Sequence, residues 1–168
     1  MTELSVTEFA VLGLLAEGPS HGFAISKQLA ADSAVGRILT VRRPLVYRAL
    51  DHLVDDGLAK PVHIEKSDSG PNRVIHRVTR EGHRELDRWL DSPVDHVREI
   101  RIVLLLKVAL VLRAGKSPRQ LIAAQQMSLQ PTLAALDDEI TDDHVEIWRR
   151  HNARAAMSYL EELAGLYG

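Results

Sequence analysis

Arg43-Pro44-Leu45-Val46-Tyr47-Arg48-Ala49-Leu50-Asp51-His52-Leu53-Val54-Asp55-Asp56-Gly57 carries a helix together with the signals that start and stop it. Proline is tolerated in a first turn, where its missing N–H has no helical acceptor to lose. Val46, Leu50, Leu53 and Val54 recur at i, i+4, i+7 and i+8, one apolar stripe. Tyr47, Arg48, Asp51 and His52 lie off that stripe. Gly57 stands where a C′ residue ends a helix. The period then changes from helical to alternating: Val62 and Ile64 interleave with His63 and Glu65, and Val74, His76 and Val78 with Ile75 and Arg77. A polar turn, Ser67-Asp68-Ser69-Gly70-Pro71-Asn72, joins the two expected strands.

Upstream, Ser5 and Glu8 form a capping-box pattern ahead of Phe9, Val11, Leu12, Leu14 and Leu15, which predicts a first helix. Gly18-Pro19 stops it, and Ser20 is placed to cap a second helix carrying Phe23, Ile25 and Leu29. Three helices followed by a β-hairpin is the order of a winged helix-turn-helix. Thr79-Arg80-Glu81-Gly82 opens a fourth helix to about Leu90, and Ser92-Pro93 marks a break.

Everything beyond the break reads as helix. Ile100, Val103, Leu104, Val108, Val111 and Leu112 form an apolar face that stops at Gly115, and Lys107 interrupts it. That stretch is roughly half of the ~20 apolar residues a membrane span needs, so it predicts a buried helix. Ser117-Pro118-Arg119-Gln120 caps the next helix, in which Pro131 either makes a kink or separates two helices. The last helix places Val145, Trp148, Asn152, Ala155, Tyr159 and Leu163 on one side, close to heptad spacing. The expected fold is mainly α with a small β-hairpin wing. It divides into a winged helix-turn-helix over residues 1–92 and a helical dimerisation domain over 93–168.

Charge separates along the chain more than its total suggests. The net charge is −2, but Arg37 to Leu50 holds four arginines and no acid. Lys60 to Arg80 holds five bases against two acids, while Asp137 to Glu146 holds six acids and no Lys or Arg. Exposed charges are screened beyond about 8 Å at physiological salt, so a local basic face attracts phosphate whatever the total. The sequence has no cysteine, which excludes disulfides, thiolate zinc sites and cysteine nucleophiles. No secretory signal is read at the N-terminus, and the expected location is the cytoplasm.

Arg42, Arg43, Tyr47 and Arg48 occupy the start and the polar side of the third helix. A recognition helix enters the major groove N-terminal end first, and arginine there reads guanine O6/N7 or clamps a phosphate. Lys66, Asn72 and Arg73 lie at the wing tip, where a second backbone contact is expected. His21, at the start of the second helix, is a packing or phosphate-contact residue. A solvated basic helix face would carry the same arginines; the basic hairpin following it favours the DNA reading. His144 and His151 with Glu146 are read as an exposed helix face, and no metal site, cofactor or catalytic residue is expected. Trp148 and Tyr159 are read as dimer core in preference to the lining of an effector pocket.

Leu12-Gly13-Leu14-Leu15-Ala16-Glu17-Gly18-Pro19-Ser20-His21-Gly22-Phe23 resembles the opening helix and turn of PadR-family regulators, with Phe23 where tyrosine is usual. Leu45 to Leu58 is similar to their recognition helix and the glycine turn into the wing. Gly70-Pro71-Asn72-Arg73 resembles their wing turn, and Val78-Thr79-Arg80-Glu81-Gly82 the start of the following helix. Ile75-His76 departs from the pattern, which more often has an aromatic there. The likeness covers residues 6 to 92; the helical remainder is similar in length and order to the larger subgroup. It implies a homodimeric regulator of double-stranded DNA, often a repressor, released by a small-molecule effector. A protein-interaction module on the same fold would lack the basic wing, and an enzyme would need a nucleophile–base pair or phosphate loop that the sequence does not contain.

Overall fold

The computed structural model describes residues 4–66, 72–138 and 142–167, in two compact units, Met1–Trp89 and Leu90–Gly168. The first unit runs α1 (Val6–Ala16), α2 (Gly22–Gln28), α3 (Arg43–Asp55), β1 (Ala59–Glu65), β2 (Arg73–Val78) and most of α4 (Arg80–Asp91). Most of the expected wing turn, residues 67–71, lies outside the described residues; Asn72 is within them.

The capping box at Ser5 forms as the spacing predicts. The Ser5 hydroxyl accepts from the Glu8 N–H at 3.3 Å while the Glu8 carboxylate accepts from the Ser5 N–H at 2.6 Å. Phe9 through Leu15 are buried on all sides of α1, making it the centre of this unit. Phe9 stacks on Trp89 with ring centroids 4.3 Å apart. α3 turns Val46, Ala49, Leu50 and Leu53 inward. Gly57 ends α3 at φ +72°, donating to the Val54 carbonyl while Leu58 donates to that of Leu53, a Schellman closure.

One expected cap is corrected. His21, not Ser20, is the N-cap of α2: its Nδ1 accepts from the Ala24 N–H at 3.2 Å. The Ser20 backbone is committed elsewhere. Its N–H and C=O pair with His76 at 2.9 and 2.8 Å, adding an antiparallel bridge to the edge of the hairpin. The turn before α2 is thereby tied to β2.

β1 and β2 pair antiparallel, Ala59 with Val78 through Glu65 with Arg73, with a bulge between Pro61 and His63. Ile75 faces the core, whereas Val62, Ile64 and Val74 are exposed. Thr79 joins hairpin to α4 by donating to the Gly57 carbonyl at 2.8 Å and accepting from the Gly82 N–H at 3.0 Å. A Cβ on Gly82 would sit 2.1 Å from the Leu58 carbonyl oxygen, so the close approach needs glycine there.

In the second unit α5 (Val97–Glu99), a π turn (Ile100–Leu104) and α6 (Leu105–Arg113) follow one another without a gap, then α7 (Arg119–Asp138) and α8 (His144–Tyr167). Ile100, Leu104, Val108, Leu121, Ile122, Leu129, Ala156 and Leu160 form its core with Val94. α7 continues through Pro131 as one helix. Pro131 and Met127, whose carbonyl loses its helical donor there, both lie on the exposed side, where water can replace the missing bond. Two buried polar side chains hold the segment after α4. The Gln125 amide accepts from the Val94 N–H at 2.7 Å and donates to its C=O at 3.0 Å, and Lys107 Nζ donates to the Ser92 carbonyl at 2.7 Å. The expected fold, mainly α with a β-hairpin wing, is the fold observed. No helix among the described residues is long and apolar enough to cross a membrane.

Candidate nucleic-acid interface

His21, Arg43, Tyr47, Asn72 and Arg73 line one hollow of about 390 Å³, together with Gly22, Phe23 and Val74. Three elements supply it: the first turn of α2, the first turns of α3, and the start of β2. The Ser20–His76 bridge brings the first and last together, because it fixes His21 one residue from a backbone paired to the hairpin.

The chemistry of the hollow is cationic and donor-rich. His21 uses Nδ1 as the cap acceptor, so a neutral ring carries its proton on Nε2. Burial, and next the charge of Arg73, hold the His21 pKa below its ordinary value, while Glu65 opposes them. The lowered pKa favours the neutral ring, which donates from Nε2. The Phe23 ring lies parallel to His21, and Lys27 Nζ sits 4.8 Å from its centroid. The Arg43 guanidinium is 4.9 Å from the Phe23 centroid and 5.6 Å from that of Tyr47. Among the described residues no carboxylate is ion-paired with Lys27, Arg43 or Arg73.

The remaining expected contacts lie apart from the hollow. Arg42 is the exposed N-cap of α3, and Lys66 is exposed just beyond β1. Arg48 borders a separate groove with Glu8, His52, Asp55 and Asp56, where His52 Nδ1 and Glu8 are 2.9 Å apart. Acidic neighbours lower the attraction of that groove for phosphate. Phe23 and Lys27 were not among the expected site residues. Their i, i+4 spacing on α2 was a signal that they share a helix face.

On α8, Val145, Trp148 and Ala155 are exposed, with Trp148 at 61 %. Asn152, Ala155 and Tyr159 border a shallow hollow of about 280 Å³ with Val97 and Ile100. Leu163 instead packs on the core of its own unit. Among the described residues no group of three or more His, Cys, Asp or Glu is placed to hold a metal ion.

The transcriptional regulator PadR-like family model matches residues 11–88. Among solved structures, Bacillus subtilis PadR in complex with operator DNA is similar in fold, with a TM-score of 0.52 at 18 % identity, over 98 % of this chain and all of that one. The structure of Bacillus subtilis PadR in complex with p-coumaric acid has a TM-score of 0.48 at 18 % identity, covering 97 % of this chain and 99 % of that one. For smu.1604c from Streptococcus mutans UA159 the values are 0.46 and 18 %, covering 95 % of each chain. The latter two are too distant to support an argument, and the first supports the fold alone. No curated protein matches the chain. Residues 11–88, which hold most of the three-helix core, the hairpin and the basic hollow between them, match the PadR-like family of transcriptional regulators.

Proposed function

We propose that the protein is a cytoplasmic homodimeric repressor that grips an inverted-repeat operator in double-stranded DNA and is released by a small-molecule effector. The observation that carries the DNA reading is the hollow itself. His21, Arg43 and Arg73 come from three separate elements yet present donors to one space, with no ion-paired carboxylate among the described residues. A cationic, donor-rich cluster of this kind suits the phosphate-lined edge of a groove. Bacillus subtilis PadR, whose fold is similar, was solved on operator DNA, which supports the same use here.

In this reading residues 1–92 bind DNA, with Asn72 in the hollow and Arg42, Arg48 and Lys66 adding outer contacts. Residues 93–168 dimerise through α8. Val145 and Trp148 are large apolar side chains left in water by a single copy, and an isologous partner would cover them. Two recognition helices held in this way would meet half-sites about 34–36 Å apart. Repression and effector release follow from the family resemblance.

Selection of fragments from random DNA by the purified protein, with sedimentation of the same sample, tests the proposal. An enriched inverted repeat and a dimer at micromolar concentration are expected. No enrichment even at low salt would overturn the DNA reading, and a monomer that still binds a palindrome would overturn the dimer.

A further inference from the structure

We infer that Arg43 reads a guanine, and that Phe23 and Tyr47 are the positioning residues that aim it. The inference rests on the DNA-binding reading above and gives one residue of that interface a specific partner.

An arginine that reads a base must be held still and must also keep its hydrogen-bond donors unused. Those requirements conflict when a carboxylate does the holding, because a bidentate ion pair occupies the guanidinium fork. Aromatic rings resolve the conflict. A ring face attracts the guanidinium by its quadrupole, while the five N–H donors point outward in the guanidinium plane. Arg43 has two such rings within reach, Phe23 at 4.9 Å and Tyr47 at 5.6 Å, and no ion-paired carboxylate among the described residues.

Other features of the structure serve the same arrangement. Gly22 leaves room for the Tyr47 ring, since a Cβ there would lie 2.8 Å from Tyr47 Cε1 and 3.0 Å from Cζ. Phe23 has no hydroxyl, so its side chain can make no strong hydrogen bond to DNA; what it offers is a ring face. Arg43 is the first residue of α3, the end that enters a major groove first. A fixed planar pair of donors at that end matches guanine O6 and N7. Phosphate requires no such aim, and Lys27 and Arg73 supply charge for it around the same hollow.

The test uses the full-length protein and the site selected from random DNA. Affinity is measured for that site, for copies in which each guanine in turn is replaced by 7-deazaguanine, which lacks the N7 acceptor, and for an unrelated duplex at the same salt. At one symmetry-related guanine the replacement should weaken the intact protein about 10-fold, within the range for a bidentate base contact. Arg43→Lys keeps the charge but not the fork, and Phe23→Leu removes the ring. Both should cut that penalty below about twofold, whatever their affinity for the unrelated duplex. Phe23→Tyr should restore the full penalty, which separates ring positioning from general damage to α2. If no guanine replacement affects the intact protein, or if Arg43→Lys retains the penalty, Arg43 is not the reader. If Phe23→Leu retains it, the ring does not aim the arginine. Failure of the intact protein to bind any duplex would instead remove the DNA-binding reading, and this inference with it.

Discussion

Replacing Lys107 with methionine should remove a pH dependence of stability that the structure places on this one residue. Lys107 is 2 % exposed on α6, and burial pushes its pKa from the ordinary 10.5 down to about 8, although Asp95 and Glu99 favour the charged form. The sign follows from proton counting. Between pH 8 and 10.5 the unfolded chain holds a proton on Lys107 that the native chain has released, so stability rises with pH across that window. Below pH 8 both states are protonated, and the native state carries the full cost of a buried ammonium. A shift of this size corresponds to about 3 kcal/mol, of which roughly 2.5 is recovered between pH 7 and pH 10. Methionine keeps most of the length and apolar stem and cannot titrate. Urea unfolding of both proteins, followed by circular dichroism at pH 7 and pH 10 and equal protein concentration, gives a difference of differences in which all other titrating groups cancel. The intact protein should gain about 2–3 kcal/mol relative to the methionine variant on going to pH 10. A relative gain below about 0.5 kcal/mol, or one of opposite sign, would refute the reasoning, because Lys107 would then titrate alike in both states.

Gln125→Leu should destabilise the protein by about 2–5 kcal/mol in urea, since it strands both the N–H and the C=O of Val94 in a buried place; a loss under about 1 kcal/mol would mean that water reaches them. Gly22→Ala should leave stability within about 1 kcal/mol, because the exposed Tyr47 ring can turn away from the new methyl. It should nevertheless weaken operator binding several-fold, and unchanged affinity would show that the ring position is immaterial. Arg73→Ala should weaken binding to all duplexes alike and lower the slope of log K against log salt by about 1. A loss confined to the operator, at constant slope, would make Arg73 a base reader.

Much of the first unit could be read from neighbours along the chain. The stripe Val46, Leu50, Leu53 on α3 and the stop at Gly57 depend on fixed helical geometry and on the one residue type at ease with positive φ. Arg43 and Tyr47 are i, i+4 on one helix, so their approach was also implicit in the spacing. Ser20 was misread for a physical reason: its local pattern fits a cap, but its backbone is drawn into a bridge to His76, fifty-six positions away. The strand alternation gave the hairpin without saying which face turns inward. Packing buries Ile75 and leaves Val62, Ile64 and Val74 outside.

The polar side of α3 shows the same division. Arg43 and Arg48 are equivalent in sequence terms, both basic and both off the apolar stripe. Tertiary packing sends Arg43 to the aromatic faces of Phe23 and Tyr47 and Arg48 to a groove bordered by Glu8, Asp55 and Asp56. The sequence by itself determined the elements, their order and the density of positive charge, because periodicity, caps and composition act over a few residues. Only the tertiary structure decided which arginine is held against two aromatic rings. Phe23 meets Arg43 from twenty residues away, and that distance is closed by the packing of α2 on α3 and not by any helical repeat.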